Sequence, residues 1–192
     1  KTETAVAMYE TNPVPTFFLV HRKDLLIQAK ERFEKYGHRP GIIGAGQFDP
    51  TGQLNIATMQ TIVSAFKDVS TQRAQALHAL VGKCRQVFVD ECHLVASSVE
   101  KGNEFVGVVD LFENATFRWG LTATPFMRTR YDNSLLEGVT GQSLYTISSK
   151  QLIDMGFLTA PKVIMRRVPG PKLSLTIDWR KAKNNAARAA HW

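Results

Sequence analysis

The sequence predicts an α/β domain built on a mostly parallel sheet, and three observations predict it. Short apolar runs alternate with longer stretches whose apolar residues recur at helical spacing, the pattern of stacked βαβ units. Val87-Phe88-Val89 is an unbroken bulky run, and a strand that does not alternate is buried on both faces, as at the centre of a parallel sheet. The bulk composition agrees: 192 residues, 44% hydrophobic and 21% charged, suit one globular domain with its own core and exclude a fibrous or disordered chain.

The elements follow in order. Thr4 to Glu10, with Ala5, Ala7 and Met8, reads as a helix. Phe17-Phe18-Leu19-Val20 reads as a buried strand. Asp24 then serves as N-cap for a helix carrying Leu25, Leu26, Ala29, Phe33 and Tyr36, stopped by Gly37. Gly41-Ile42-Ile43-Gly44 is a short second strand. Leu54 to Thr58 is a third, followed by a helix over about Met59 to Phe66. Ser70 is placed to cap a helix with Leu77, Leu80 and Val81 that ends at Gly82. Gln86 to Asp90 is the clearest strand; a helix is expected over Asn103 to Glu113, and Phe117 to Thr122 closes the body. Ser148 or Ser149 caps a short helix closed by Gly156, and Lys162 to Val168 reads as a final extended segment. Beyond Pro169-Gly170-Pro171 the pattern is lost.

Charge is unevenly placed. Residues 1–161 carry 16 basic and 16 acidic side chains, whereas 162–192 carry Lys162, Arg166, Arg167, Lys172, Arg180, Lys181, Lys183 and Arg188 against Asp178, so the net +7 lies in the last 31 residues. A polyanionic partner is therefore expected of the tail more than of the body. Two cysteines, Cys84 and Cys92, cannot form a disulfide framework and make no CxxC pair, which suits a reducing compartment. No apolar run approaches the roughly 18 residues needed to span a bilayer, and Lys1-Thr2-Glu3-Thr4 has no signal-peptide pattern, so a cytoplasmic, non-membrane setting is expected.

Asp90-Glu91-Cys92-His93 is the strongest chemical signal. Two carboxylates directly after a buried strand are costly unless a cation or a proton transfer uses them. At the carboxyl end of a central parallel strand they face the crevice where such sheets bind ligands. The chemistry assigns Asp90 to a magnesium shell and Glu91 to an attacking water; solvated acids at a strand exit are the alternative. Lys1-Thr2 runs straight into a helix, as the end of a phosphate-binding loop does. Thr122-Ala123-Thr124-Pro125 leaves the next strand with small hydroxyl residues able to bond an acidic loop, or simply to cap the exit.

In order and spacing, Lys1-Thr2, Leu19-Val20-His21-Arg22-Lys23-Asp24-Leu25, Ile56-Ala57-Thr58-Met59-Gln60-Thr61, Val89-Asp90-Glu91-Cys92-His93 and Gly120-Leu121-Thr122-Ala123-Thr124-Pro125 resemble the first motor domain of superfamily 2 helicases and translocases. The closest flavour is the DExH type of the DNA-repair, phage recombination and restriction-translocase branch. The resemblance covers about residues 1–165 and implies a three-layer RecA-like P-loop NTPase fold. It also implies that Lys1 and Thr2 hold ATP phosphates, Thr2 and Asp90 hold Mg2+, and Glu91 activates water. His93 would couple that site to Thr122 and Thr124, and Arg22, Lys23, Thr58 and Gln60 would line a nucleic-acid path without reading sequence.

The domain reading is a helicase ATP-binding domain over 1–161 that begins within the phosphate loop, and a basic connector over 162–192 leading towards a second motor domain. No Gln-x-x-Gly-Arg-x-x-Arg motif is present, so these residues alone are expected to be a poor ATPase. The expected partner is DNA, single- or double-stranded, with RNA as the alternative. Other tasks consistent with the same residues are the ATPase subunit of a restriction or nuclease complex, an RNA helicase, and a non-hydrolysing nucleic-acid-binding module. Gly41-Ile42-Ile43-Gly44-Ala45-Gly46 reads as a turn rather than a dinucleotide loop. His38 and His78 lack metal-ligand spacing, Cys92 reads as a space filler, and Trp179 and Trp192 either stack on bases or sit in a solvated tail.

Overall fold

Buried strands with side chains committed to both faces organise the chain. A computed structural model describes residues 1–94, 107–124 and 129–165, grouped into two units, Lys1–Leu144 and Tyr145–Trp192. The first unit holds a six-stranded sheet made of β1 (Thr16–Val20), β2 (Gly41–Gly44), β3 (Gln47–Asp49), β4 (Leu54–Thr58), β5 (Gln86–Asp90) and β6 (Phe117–Leu121), in the order β3-β2-β4-β1-β5-β6. All pairings are parallel except β2 with β3. The α/β, mostly parallel expectation therefore holds.

Strand alternation sorts the core into two halves. Phe17, Leu19, Ile43, Ala57, Val87 and Val89 pack against helices α3 (Met59–Lys67), α4 (Gln72–Lys83) and α5 (Arg130–Thr140). Phe18, Val20, Ile42, Leu54, Ile56 and Phe88 face α1 (Thr2–Thr11) and α2 (Lys23–Lys35) on the other side. The layers are thus helix, sheet, helix. Each fully buried Phe, Leu or Ile contributes about 1.5–3 kcal/mol. β1, β4 and β5 are buried along their whole length, so these central strands are the most strongly specified.

Several local expectations are corrected. The N-cap of α2 is Arg22; Asp24 lies in the first turn, where an acid favours the helix dipole, while Gly37 at φ +85° ends the helix as expected. Thr71, not Ser70, caps α4 by accepting from the Ala74 amide, and the helix runs on through Gly82 to Lys83. Residues 107–113, expected to be helical, form successive turns closed by the Asp110-to-Gly107 and Phe112-to-Val109 bonds. Their buried side chains Val108, Val109 and Phe112 only mimic helical spacing. Asn103 to Val106 of that expected helix lie outside the described residues. β3 and α5 were not foreseen. The Gly44–Gly46 turn joins β2 to β3, with both Ala45 (φ 51°) and Gly46 (φ 86°) left-handed, the geometry of a tight hairpin.

The second unit contains α6 (Ser149–Asp154), capped as expected by Ser148 in a reciprocal box with Gln151 and followed by Gly156 at φ +78°. Lys162 to Met165 take no regular structure and are exposed. Arg166, Arg167, Val168, the remaining tail cations, Trp179 and Trp192 lie outside the described residues. Among the described residues no helix is long and apolar enough to cross a membrane.

Candidate active site

The parallel strands end along one edge of the sheet, with Val20 beside Thr58 and Asp90 beside Leu121 in register. Asp90, the last residue of β5, is 6% exposed. Glu91 follows at φ 51°, a left-handed conformation that costs an L-residue about 1–2 kcal/mol and swings the chain out of the strand into a 3-10 turn over Cys92–Leu94.

Lys1 sits at the N-cap of α1, where its own carbonyl accepts from the Ala5 amide at 3.0 Å. Its ammonium donates to Glu91 Oε1 and lies 3.7 Å from Asp90 Oδ1. That Asp90 oxygen is buried and has no hydrogen-bond partner, so its contact with Lys1 is through charge alone. Thr2 is the next residue, half-buried in the first turn of α1. His93 Nδ1 is 2.9 Å from Thr122 Oγ1 and 3.5 Å from Glu91 Oε2, and Thr122 Oγ1 also accepts from the Thr124 amide at 3.1 Å. Lys1, Asp90, Glu91, His93, Thr122 and Thr124 therefore form one connected set drawn from α1, β5 and the exit of β6.

A lysine at a helix N-terminus favours phosphate, through its charge and the aligned backbone N–H groups. A buried carboxylate oxygen with no hydrogen bond suits a hard divalent cation that keeps several waters, as Mg2+ does. Among the described residues no three His, Cys, Asp or Glu side chains form an all-protein metal cage. Cys92 is excluded as a nucleophile: burial, reinforced by the Glu91 charge, pushes its thiol up to about 11.

The other predicted group lies at the exits of β1 and β4. Arg22 pairs with Asp24 at 3.1 Å in the open, and Lys23 is exposed in the first turn of α2. Gln60 Nε2 donates to the His21 carbonyl at 2.8 Å and so ties the β1 exit to α3. Thr58 is buried, with its hydroxyl 2.8 Å from that of Thr61. Sequence reasoning quoted Thr61 within its motif but gave it no contact, although three-residue spacing at a helix start was a signal for its meeting with Thr58. It also missed the direct Lys1–Glu91 contact, which no local pattern encodes.

A mostly parallel sheet covered on both faces, with a helix-borne lysine meeting an acidic pair at a strand end, defines a RecA-like P-loop domain. The family model described as "Type III restriction enzyme, res subunit" matches residues 1–127. The chain belongs to that family, a superfamily 2 helicase-like ATPase motor. No curated protein matches the chain.

Proposed function

We propose that this domain binds and hydrolyses Mg-ATP to drive movement on DNA, as the first motor domain of a DExH-type translocase. The observation that carries the proposal is the connected set running from Lys1 through Glu91 and His93 to Thr122. Lys1 leaves the carboxylates to neutralise the β- and γ-phosphates, with the N-terminus of α1 behind it. Thr2 and Asp90 would hold Mg2+, which supplies charge neutralisation on the phosphates when bound. Glu91, released from Lys1, orients a water and accepts its proton as the water oxygen attacks the γ-phosphorus and the bond to ADP breaks. His93 senses the state of Glu91 and passes it through Thr122 to Thr124. Arg22, Lys23 and Gln60 offer donors to the DNA backbone, while Thr58, being buried, shapes the β4–α3 turn.

In this reading the body 1–161 is the ATP-binding unit, and the basic segment 162–192 leads to a second RecA-like domain that must close on the nucleotide. The setting is cytoplasmic. Service in a restriction complex is the specific task favoured by the family description. Glu91→Gln in the intact protein should retain ATP binding and lower turnover at least about 100-fold. Steady-state hydrolysis at the original rate in that variant sinks the assignment. Comparing stimulation by duplex DNA, single strands and RNA identifies the track.

A further inference from the structure

Two residues before Thr122 stands Gly120, whose backbone does not need glycine for its conformation: its φ lies outside the left-handed region. Space is the reason for glycine here. A Cβ at this position would lie 2.8 Å from Cys92 Sγ, 2.9 Å from Thr140 Cγ2 and 3.0 Å from Thr140 Cβ. The 3-10 turn after β5 and the last residue of α5 thus close on the same point of β6 from two directions.

Neither neighbour is free to turn aside. Cys92 is 2% exposed and held between Glu91 and His93. Thr140 donates its hydroxyl to the Leu136 carbonyl at 2.9 Å, which fixes its rotamer and keeps the methyl against β6. The β5–β6 register, Val89 with Gly120 and Asp90 with Leu121, fixes the strands themselves. What remains adjustable is how deeply the turn carrying His93 seats on β6, and the Cys92–Gly120 contact sets that depth. A methyl group there forces the turn outward by about 0.7 Å to reach ordinary contact distance. The bond at stake, His93 Nδ1 to Thr122 Oγ1, is 2.9 Å long, so a shift of that size breaks it.

We propose that Gly120, gripped between Cys92 and Thr140, is a positioning residue for ATP-driven movement: its missing side chain sets the reach of His93 to Thr122, with α5 as the brace behind the joint. This rests on the coupling role given above to the His93–Thr122 bond, and the test separates the two. In the intact protein, kcat and KM for ATP are measured with and without DNA for Gly120→Ala, Thr122→Val and the double variant. Expected are an unchanged KM, a loss of DNA stimulation of at least about tenfold in each single variant, and no further loss in the double. Additive losses, or full stimulation in Gly120→Ala, overturn the positioning role while leaving the coupling role intact. Full stimulation in Thr122→Val overturns both. Should Gly120→Ala not fold, Cys92→Ala loosens the same joint without overfilling it: lost stimulation, again masked by Thr122→Val, supports the proposal, and unchanged stimulation overturns it.

Discussion

Among the described residues, Cys84 and Cys92 are the two groups whose ionisation most clearly separates the folded from the unfolded chain. Burial pushes both thiols up to about 11 from near 9, and the Cys84 thiol also donates to the Gln86 carbonyl at 3.0 Å, a bond that ionisation would break. Between about pH 9 and 11 the unfolded chain has released these protons and the folded chain has not, so stability is fully present below pH 9 and falls as pH rises through that window. The loss should be of order 2 kcal/mol per thiol, read as the difference in denaturant-derived stability between pH 8 and 10.5. Cys84→Ala should flatten that slope relative to the parent chain, and an equally steep slope refutes the account. At this scale the sequence was partly legible. Cys92 was readable as a filler from its type and neighbours, but its fit against Gly120 and Thr140 joins residues far apart in the chain. The same holds for Lys1 on Glu91, a pairing made by the fold.

Elements were legible where burial enforces them and less so where local hydrogen bonding decides. β1 and β5 carry unbroken apolar runs and β4 a run broken only by the buried Asn55, all three buried on two faces, and their limits follow from the sequence. The two ends of α4 do not. Ser70 and Thr71 are both plausible caps by residue type, and the choice is made by Asp68, which accepts the Ser70 amide at 2.9 Å and draws that residue into a turn before the helix. The Ser70 hydroxyl, and after it this amide, hold the Asp68 carboxyl below its ordinary range by hydrogen bonding. Thr71→Ala should therefore cost about 1 kcal/mol by thermal or urea unfolding, and Ser70→Ala less than about 0.5 kcal/mol. The reverse ranking refutes the assignment of the cap. α5 was readable in retrospect from Thr129 with Asp132 three residues on, Leu135, Leu136 and Val139 at helical spacing, and Gly141 beyond the end. β3 was not, because three residues, Gln47–Asp49, with only Phe48 half-buried between two exposed neighbours, are too short to show an apolar pattern, and a hairpin with Ala45 at φ 51° uses a residue that turn chemistry does not favour.

For the whole molecule, the proposed hold on DNA would have two sources, which the placement of the net +7 separates. The balanced body offers a few placed cations, Arg22 already paired with Asp24 and Lys23 exposed beside it. The segment 162–192 carries eight basic residues against one acid, and all of the excess. Counterion release makes the two sources measurable, since each phosphate neutralised adds about 0.9 to the slope of log affinity against log salt. Replacing Arg180, Lys181, Lys183 and Arg188 by glutamine in the full chain should lower that slope by about 2–4 and weaken binding most at low salt. Arg22→Gln with Lys23→Gln should lower it by no more than about 2, yet cost more of the DNA-stimulated ATP turnover, because those groups stand at the β1 exit that Gln60 ties to α3. Electrostatic attraction and productive contact would then reside in different parts of the chain. An unchanged slope after the four tail substitutions refutes that division, and it assigns the grip to the strand ends of the motor body.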